Sequence, residues 1–415
     1  MTFLYILLAL LVFGLLVLIH ELGHFLAARA FGVGIREFSI GMGPKIFSWK
    51  GKKKWDDGEE KAETTVDIKQ EAEEPTVDVR QEDTEQADNA IPVVVAEQSD
   101  ALPAESGEGA DAELKEPEER VTTYSLRAFP IGGFVSMVGE DEANDSPASF
   151  EKKNVWKRIA IVLAGPVMNI VLGFALMLLL VLIPNPQTGT VVLASNQISV
   201  FGEEAVSNRF LQVDDVVTHV NGVPVHTGDE LVYEIMNQGY EPLDLTVLRE
   251  GKSMTLSDVV FPGMEAEGIA FGSVDFKVYP EQVNFGTVLK HAFFRSLSTV
   301  KMIFDQLGDL LTGRFGLNAV SGPVGVTEAM GAAARDSFTS FLHLVIIITV
   351  NLGVFNLLPV PALDGGRLSF LLVEAIIRRP LNKKLEGYIN FAGMMILFGI
   401  MIIVTCKDII GLFFR

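Results

Sequence analysis

The chain has 415 residues, of which 49% are apolar and 21% are charged, and its formal net charge is −20. A mean hydropathy of +0.33 is too apolar for a water-soluble protein of this size, so the composition predicts membrane spans. The acidic balance excludes a basic, nucleic-acid-binding protein. The single cysteine, Cys406, excludes an intramolecular disulfide and a cysteine-rich zinc module.

Four predominantly apolar stretches are each long enough to cross about 30 Å of hydrocarbon as a helix. They predict spans over residues 1–31, 155–183, 337–366 and 387–415. The first stretch has no basic start and no small-residue cleavage site, so we expect it to remain in the mature chain. Lysine and arginine are concentrated between spans one and two and between spans three and four. Because positively charged loops stay in the cytoplasm, both termini are predicted to be extracytoplasmic.

Between the first two spans, residues 51–120 hold 23 acidic and 8 basic residues and almost no aromatics. This composition predicts a disordered, acidic cytoplasmic insert, either a solvated spacer or a docking segment for a basic partner. The flanking segments, 32–50 and 121–139, are apolar, aromatic and interrupted by glycine and proline, which predicts β-structure. They could pair across the insert, since a long loop costs little extra entropy.

Residues 186–278 predict a small β-rich domain, with strand candidates near 191–193, 216–220, 243–248 and 254–256, a helix over 230–237 and a hairpin turn at Asn221-Gly222. Residues 284–336 contain an amphipathic stretch. It fits either an interfacial helix beside the membrane or a helix that packs on the β-rich domain. Residues 367–386 are predicted to form a cytoplasmic loop before the fourth span.

The strongest local motif is His20-Glu21-Leu22-Gly23-His24 in the first span. Residues i and i+4 lie on one face of a helix, so both imidazoles can bind one Zn²⁺. Glu21 is then placed to act as a general base on water that the ion activates. Ionisable residues at membrane depth are costly and usually functional. Apolar sequence on both sides argues against side chains that merely extend to the membrane surface.

A catalytic zinc ion needs three protein ligands, and no third histidine is near the motif. Asp364 is the best candidate, because Pro359 and Pro361 break the third span just before it. The glycines at 365 and 366 allow close backbone approach after it. Irregular backbone at membrane depth is tolerated only inside protein or beside a watery cavity.

Three asparagines are candidates for supporting roles. Asn351 and Asn356 lie in the third span, where they could hold the substrate backbone or a developing oxyanion, or could bond neighbouring helices. Asn169, in the second span, follows the small, helix-bending pair Gly165-Pro166. We expect it to support the site by hydrogen bonding.

With these landmarks, the chain resembles the site-2 protease family of intramembrane zinc metalloproteases, in particular the bacterial branch that includes the regulator of sigma-E protease. The matching stretches are His20–His24, Gly165–Asn169, Ser321–Gly325 and Asn356–Gly366. The resemblance implies that His20, His24 and Asp364 bind one Zn²⁺ per chain and that Glu21 is the catalytic base.

The resemblance extends to the β-structure of the chain. Residues 32–50 and 121–139 resemble the family's membrane-reentrant β segment, whose edge strand would hydrogen-bond an unwound substrate. The stretch Phe210–Val225 resembles part of a PDZ domain, although Asp214-Asp215 stands where the family usually has Gly-Asp. The implied fold is a multi-pass α-helical membrane protein with four transmembrane helices, a membrane-associated β segment and one extracytoplasmic PDZ-like β domain.

The function implied by the resemblance is an intramembrane zinc metalloendopeptidase of the bacterial cytoplasmic membrane, active in regulated intramembrane proteolysis. Its partners would be the lipid bilayer and a single-span substrate, such as an anti-sigma factor or remnant signal peptide, pre-cut by another protease. One alternative is a non-catalytic membrane scaffold with a peptide-binding PDZ domain, and the presence of Glu21 and Asp364 argues against it. The other is a transporter, which four spans without an inverted repeat do not favour.

Overall fold

The structure, a computed structural model, describes residues 2–55, 121–140, 144–185, 189–266, 269–314, 316 and 320–413. All of these belong to one compact unit, Met1–Asp57 with Arg120–Arg415. A second unit, Gly58–Glu119, is outside the described residues, and so is most of the predicted disordered insert.

The helices of the described residues are α1 (Thr2–Ala30), α2 (Val155–Val181), α3 (Gly228–Gln238), α4 (Phe285–Thr312), α5 (Pro323–Asp336), α6 (Phe338–Phe355), α7 (Asp364–Ile377) and α8 (Lys383–Phe413). Four of them, α1, α2, α6 and α8, are long and apolar enough to cross a membrane, as predicted. The predicted third span, 337–366, is wrong in its last third. Helix α6 ends at Phe355 because the proline-containing stretch that follows cannot continue it. Within residues 367–386, predicted as the cytoplasmic connection between spans three and four, the chain is helical in α7 as far as Ile377.

Small residues bring the spans close together around α2. A β-carbon added to Gly23 of α1 would lie 2.3 Å from the Ala164 carbonyl oxygen of α2, and one added to Gly353 of α6 would lie 2.9 Å from the Pro166 oxygen. Glycine therefore permits backbone approach on both sides of α2. In contrast, only 11% of the most apolar stretch of α8 is buried, whereas 28–39% of the corresponding stretches of the other spans are buried.

The strands are β1 (Ile35–Lys54), β2 (Val121–Met137), β3 (Leu193–Phe201), β4 (Val216–Val220), β5 (Val223–Pro224), β6 (Leu243–Arg249), β7 (Lys252–Val259), β8 (Gly263–Ala266), β9 (Ile269–Gly272) and β10 (Phe276–Glu281). Strands β1 and β2 pair antiparallel, which confirms the predicted pairing across the insert. Both strands bend back on themselves. Ser39 therefore pairs with Phe134 on one side and with Ser125 on the other, and Ser125 pairs in addition with Ser48. The stretch around Phe134 is consequently an edge. Strand β1 continues to Lys54, beyond the predicted boundary at residue 50, because Lys54 pairs with Val121.

Residues Leu193–Glu281, here called the β domain, form a sheet in the order β10-β3-β4-β6-β7 around its own apolar core. The turn at Asn221-Gly222 has positive φ at both residues and joins β4 to β5, as predicted. Helix α3 begins with a capping box between Thr227 and Glu230. The predicted limit at residue 278 is too early, because β10 pairs with β3 as far as Glu281. The strand candidate at 191–193 overlaps β3 only at Leu193, where that strand begins.

Helix α4 connects the β domain to the spans. Its buried side chains, among them Val288, Ala292 and Ile303, pack with residues of α2 and α6. Its polar side chains bond α3, since Asp305 accepts a hydrogen bond from Tyr233 at 2.8 Å and Lys301 pairs with Glu234 at 3.0 Å. The face that carries Phe285, Phe293, Phe304 and Leu311 is exposed. Helix α4 thus packs against the core on one side and presents apolar residues on another.

Candidate metal centre

Three side chains from two distant parts of the chain converge at one point. His20 and His24 lie one turn apart on α1 and are 6% and 7% exposed, and Asp364 is the first residue of α7. The Nε2 atoms of the two histidines are 3.2 Å apart. The Oδ2 atom of Asp364 lies 2.9 Å from Nε2 of His20 and 3.2 Å from Nε2 of His24. In the described part of the chain, this is the group of three potential ligands that could share a metal ion.

The opposite nitrogen of each imidazole is engaged by α2. Nδ1 of His24 donates to the Ile161 carbonyl oxygen at 2.9 Å. Nδ1 of His20 lies 3.3 Å from the side-chain amide of fully buried Asn169, whose Oδ1 has no hydrogen-bond partner among the described residues. Turning that amide by 180° lets Oδ1 accept a proton from Nδ1 of His20. Both imidazoles then present a lone pair on Nε2, the arrangement that metal-binding histidines require.

The donor set fits a zinc ion. Two neutral imidazoles and one carboxylate are typical of catalytic zinc sites, and tetrahedral bonds of about 2.0 Å place ligand atoms about 3.3 Å apart. The three measured separations, 2.9–3.2 Å, are close to that value. Two nitrogen lone pairs and a carboxylate oxygen that converge in this way are stabilised when all three bind one cation.

The space next to the three ligands exists because residue 165 of α2 is glycine. A β-carbon added to Gly165 would lie 2.2 Å from Nε2 of His24 and 2.8 Å from Nε2 of His20. Any side chain at this position would compete with a bound ion. This role was not predicted from the sequence, although the small pair Gly165-Pro166 pointed to close packing.

Asp364 directly follows a tight turn between α6 and α7 that contains Pro359 and Pro361. After Asp364, a β-carbon on Gly365 would lie 1.9 Å from the Leu358 carbonyl oxygen. Glycine is therefore required there, as the sequence indicated. The turn also contains Ala362 with φ of +73°, an unusual value for a residue with a side chain.

Glu21 lies next to His20 and is held by the edge of the β1–β2 sheet. Its Oε2 atom accepts a hydrogen bond from the backbone N–H of Val135 in β2 at 3.1 Å. The carboxylate is close enough to interact electrostatically with His20, His24 and Asp364. The sequence did not indicate the contact with Val135, because it depends on how the sheet packs against α1.

The structure does not bring the other predicted asparagines to the metal ligands. Asn351 is exposed on α6, and the side chain of Asn356 donates to the Leu352 carbonyl oxygen of its own helix at 3.0 Å. No hydrogen bond of the described residues joins either amide to the metal ligands. The remaining histidines lie elsewhere; His291, for example, bonds Glu281 at 2.9 Å.

A cavity of about 490 Å³ opens beside Asp364. One side is formed by the turn and the start of α7, and the other by α8. Its lining residues are Ala362, Leu363, Asp364, Arg367, Gly387, Asn390, Phe391 and Met394. The site therefore has space for a ligand between α7 and α8.

Comparison with known proteins identifies the family of the chain and several relatives. A family model described as peptidase family M50 matches residues 8–56 and 107–400. The chain is 30% identical to the zinc metalloprotease RasP of Bacillus licheniformis, over 97% of this chain and 98% of the relative. It is 31% identical to zinc metalloprotease RasP of Shouchella clausii and 29% identical to the regulator of sigma-W protease RasP of Bacillus subtilis. These two alignments cover 97% of this chain and 98% and 97% of the relatives, respectively.

Proposed function

The chain belongs to peptidase family M50, and we propose that His20, His24 and Asp364 bind the zinc ion of this enzyme while Glu21 acts as its general base. The protein is an intramembrane zinc metalloprotease that acts in regulated intramembrane proteolysis. The observation that carries the residue assignment is the convergence of the two Nε2 atoms and Oδ2 within 3.2 Å of one another.

Glu21 carries out the proton transfers of peptide hydrolysis in this proposal. When bound, the ion supplies polarisation of the scissile carbonyl and a lowered pKa of water. The Glu21 carboxylate removes a proton from the attacking water and delivers it to the leaving amine nitrogen. The hydrogen bond from the Val135 N–H, at 3.1 Å, restricts the movement of Oε2.

The substrate is membrane-anchored, as the name of the Bacillus subtilis relative, a regulator of sigma-W protease, suggests. We propose a single-span protein of the anti-sigma factor or remnant signal peptide type, pre-cut by another protease. A helical substrate must unwind before hydrolysis, because its carbonyls are internally bonded. We propose that the outer edge of β2 near Phe134, which is partly buried, pairs with the unwound strand. Asn351 and Asn356 remain proposed contacts for that strand or for the oxyanion, with Pro359 and Pro361 shaping the turn.

The orientation follows from the basic residues. We propose that α1 and α8 place both termini outside the cytoplasm of a bacterium, with the insert of residues 51–120 inside. The β domain is then extracytoplasmic and PDZ-like. Its antiparallel sheet and its single long helix α3 support that likeness. The exposed phenylalanines of α4 support a location of this helix at the bilayer interface.

The decisive experiment compares three full-length proteins, wild type, Glu21→Gln and Asp364→Ala, on a purified single-span substrate. Glu21→Gln should lower the cleavage rate by about 10² to 10⁴ while zinc content stays at one per chain, because the amide cannot accept the proton. Asp364→Ala should lose zinc and activity together. Glu203→Gln, an exposed glutamate of the β domain, is the matched control. Undiminished cleavage by Glu21→Gln, or full zinc occupancy in Asp364→Ala, would overturn the assignment.

A further inference from the structure

The turn that carries Asp364 contains a backbone conformation that needs outside support. Ala362 has φ of +73°, in the left-handed region that favours glycine over residues with a β-carbon. Such conformations persist when surrounding contacts hold them, and they occur often at functional sites. Ala362 precedes the proposed zinc ligand by two residues, so the position of the carboxylate depends on this turn.

Helix α8 contacts the turn at two points one turn apart on the same face. Oδ1 of Asn390 accepts a hydrogen bond from the Ala362 N–H at 3.3 Å. Gly393 lies against Pro361, such that an added β-carbon would be 2.4 Å from Cβ of Pro361 and 2.9 Å from its carbonyl oxygen. Residues i and i+3 of a helix are neighbours. Asn390 and Gly393 therefore form one continuous contact with the turn.

The far end of α8 is anchored separately. Oδ2 of Asp408 accepts hydrogen bonds from the N–H groups of Gly322 and Gly325, each at 2.9 Å, where α5 begins. Helix α5 packs in turn on α1, with Gly331 against the side chain of Tyr5. Little of the apolar surface of α8 is buried, so specific contacts such as these two, together with the pairing of Lys383 with Glu151, hold it in place. A helix anchored in this way can brace the turn.

We propose that Asn390 and Gly393 of α8 are positioning residues that hold the Pro361–Leu363 turn so that Asp364 meets His20 and His24. This inference rests on the proposed zinc site. It assigns to α8, the least buried of the four spans, a direct influence on metal affinity. Displacement of α8 from the turn would weaken zinc binding and peptide hydrolysis together.

Zinc affinity is the first measurement. Full-length wild type, Asn390→Ala and Gly393→Ala would be titrated with Zn²⁺ against a chelating competitor. Loss of one hydrogen bond should raise the Kd of Asn390→Ala by about three- to tenfold. The clash in Gly393→Ala should raise it by at least about tenfold. Gly399→Ala is the matched control on α8, because its β-carbon would meet nothing within 4 Å.

Rescue by glycine distinguishes a brace from general damage to α8. In an Ala362→Gly background, the turn adopts its positive φ without the steric penalty. Asn390→Ala should then raise the zinc Kd by less than about twofold, a coupling that a double-mutant cycle measures. If Asn390 had only a general structural role, Asn390→Ala would raise the zinc Kd by the same factor in both backgrounds.

Asp364→Ala serves as the reference that separates the two proposals. If Asp364→Ala keeps its zinc, the proposed metal site itself is wrong. If Asp364→Ala loses zinc but Asn390→Ala and Gly393→Ala bind it as wild type does, the brace alone is overturned. Equal effects of Asn390→Ala with alanine or glycine at position 362 would likewise reject the brace.

Discussion

Gly165 of α2 and His24 of α1 approach so closely that a β-carbon on Gly165 would lie 2.2 Å from the Nε2 atom of the histidine. This relationship links helix packing to metal binding. The same close approach that brings α2 against α1 places a residue without a side chain where the ligands converge. We expect the position to tolerate no larger residue.

Gly165→Ala should therefore remove bound zinc and abolish cleavage, because the methyl group would occupy space that the ion needs. Zinc content by elemental analysis of the purified protein tests this expectation. Gly173→Ala is the matched control on the same helix. Its β-carbon would also clash, at 2.4 Å from Cγ2 of Val350, but its nearest neighbours include no histidine. It should lower thermal stability and keep its zinc; zinc loss to the same extent in both variants would contradict the prediction.

Asn169→Ala should weaken zinc binding or lower activity by roughly 10- to 100-fold, the range for partners that orient a metal-binding histidine. The amide of Asn169 lies 3.3 Å from Nδ1 of His20, and its loss frees the imidazole to change tautomer. Competition with a chelator measures the zinc affinity.

Thr349→Val is the control variant for Asn169→Ala. The Thr349 hydroxyl donates to the backbone oxygen of Asn169 at 3.4 Å and is equally buried. Its replacement removes a bond to the same residue without touching His20, so zinc affinity should remain near that of wild type. A similar weakening in Thr349→Val and Asn169→Ala would mean that packing, not orientation of the imidazole, explains the effect.

Local sequence patterns were sufficient to predict some features of the site. The spacing of His20 and His24 predicted one helix face, because i and i+4 positions coincide in any α-helix. Pro359 and Pro361 predicted a break in the backbone before Asp364, because proline cannot donate a helical hydrogen bond, although the helix ends earlier, at Phe355. The number of spans followed from the lengths of the apolar runs in the same way.

Contacts that depend on how helices and strands cross in the fold could not be predicted from local sequence patterns. The contact of Val135 with Glu21 requires the edge of a bent sheet to reach α1, and the contact of Asn390 with Ala362 requires α8 to pass the turn. Helix α7 lies largely within residues 367–386, whose basic residues predicted a cytoplasmic connection but did not indicate a helix. Its apolar side, with Leu371 buried, packs near the start of α2.

Deletion of residues 56–118 should leave the rate of substrate cleavage unchanged. The family match omits residues 57–106, and Lys54 pairs directly with Val121, so a connection of three residues can close the hairpin. A cleavage assay on the purified deletion variant tests this. A longer deletion, residues 48–125, removes the pair Ser48 and Ser125 and should abolish activity. An inactive 56–118 deletion would show that the insert contributes to catalysis.

The junction between the β domain and α4 should weaken in acid. Burial alone would raise the pKa of Glu281, but hydrogen bonds from His291 and Lys290 hold it below its usual value of 4.5. Burial of Asp229 is similarly outweighed by His291 and Arg295, so its pKa lies below 3.8. A carboxyl group with a lowered pKa stabilises the fold above its unfolded-state pKa. That stability is lost as the pH falls through the folded-state value, here below about pH 4.

Glu281→Gln separates this contribution from general acid denaturation. The variant should unfold at a lower temperature than wild type at pH 7, because His291 and Lys290 lose their charged partner. Its Tm should fall less steeply than that of wild type between pH 5 and pH 3, since it lacks one carboxylate to protonate. Glu203→Gln, exposed in the same domain, should follow the wild-type curve. If the Tm of Glu281→Gln changed with pH as steeply as that of wild type, the contacts of the Glu281 carboxylate with Lys290 and His291 would not stabilise the junction.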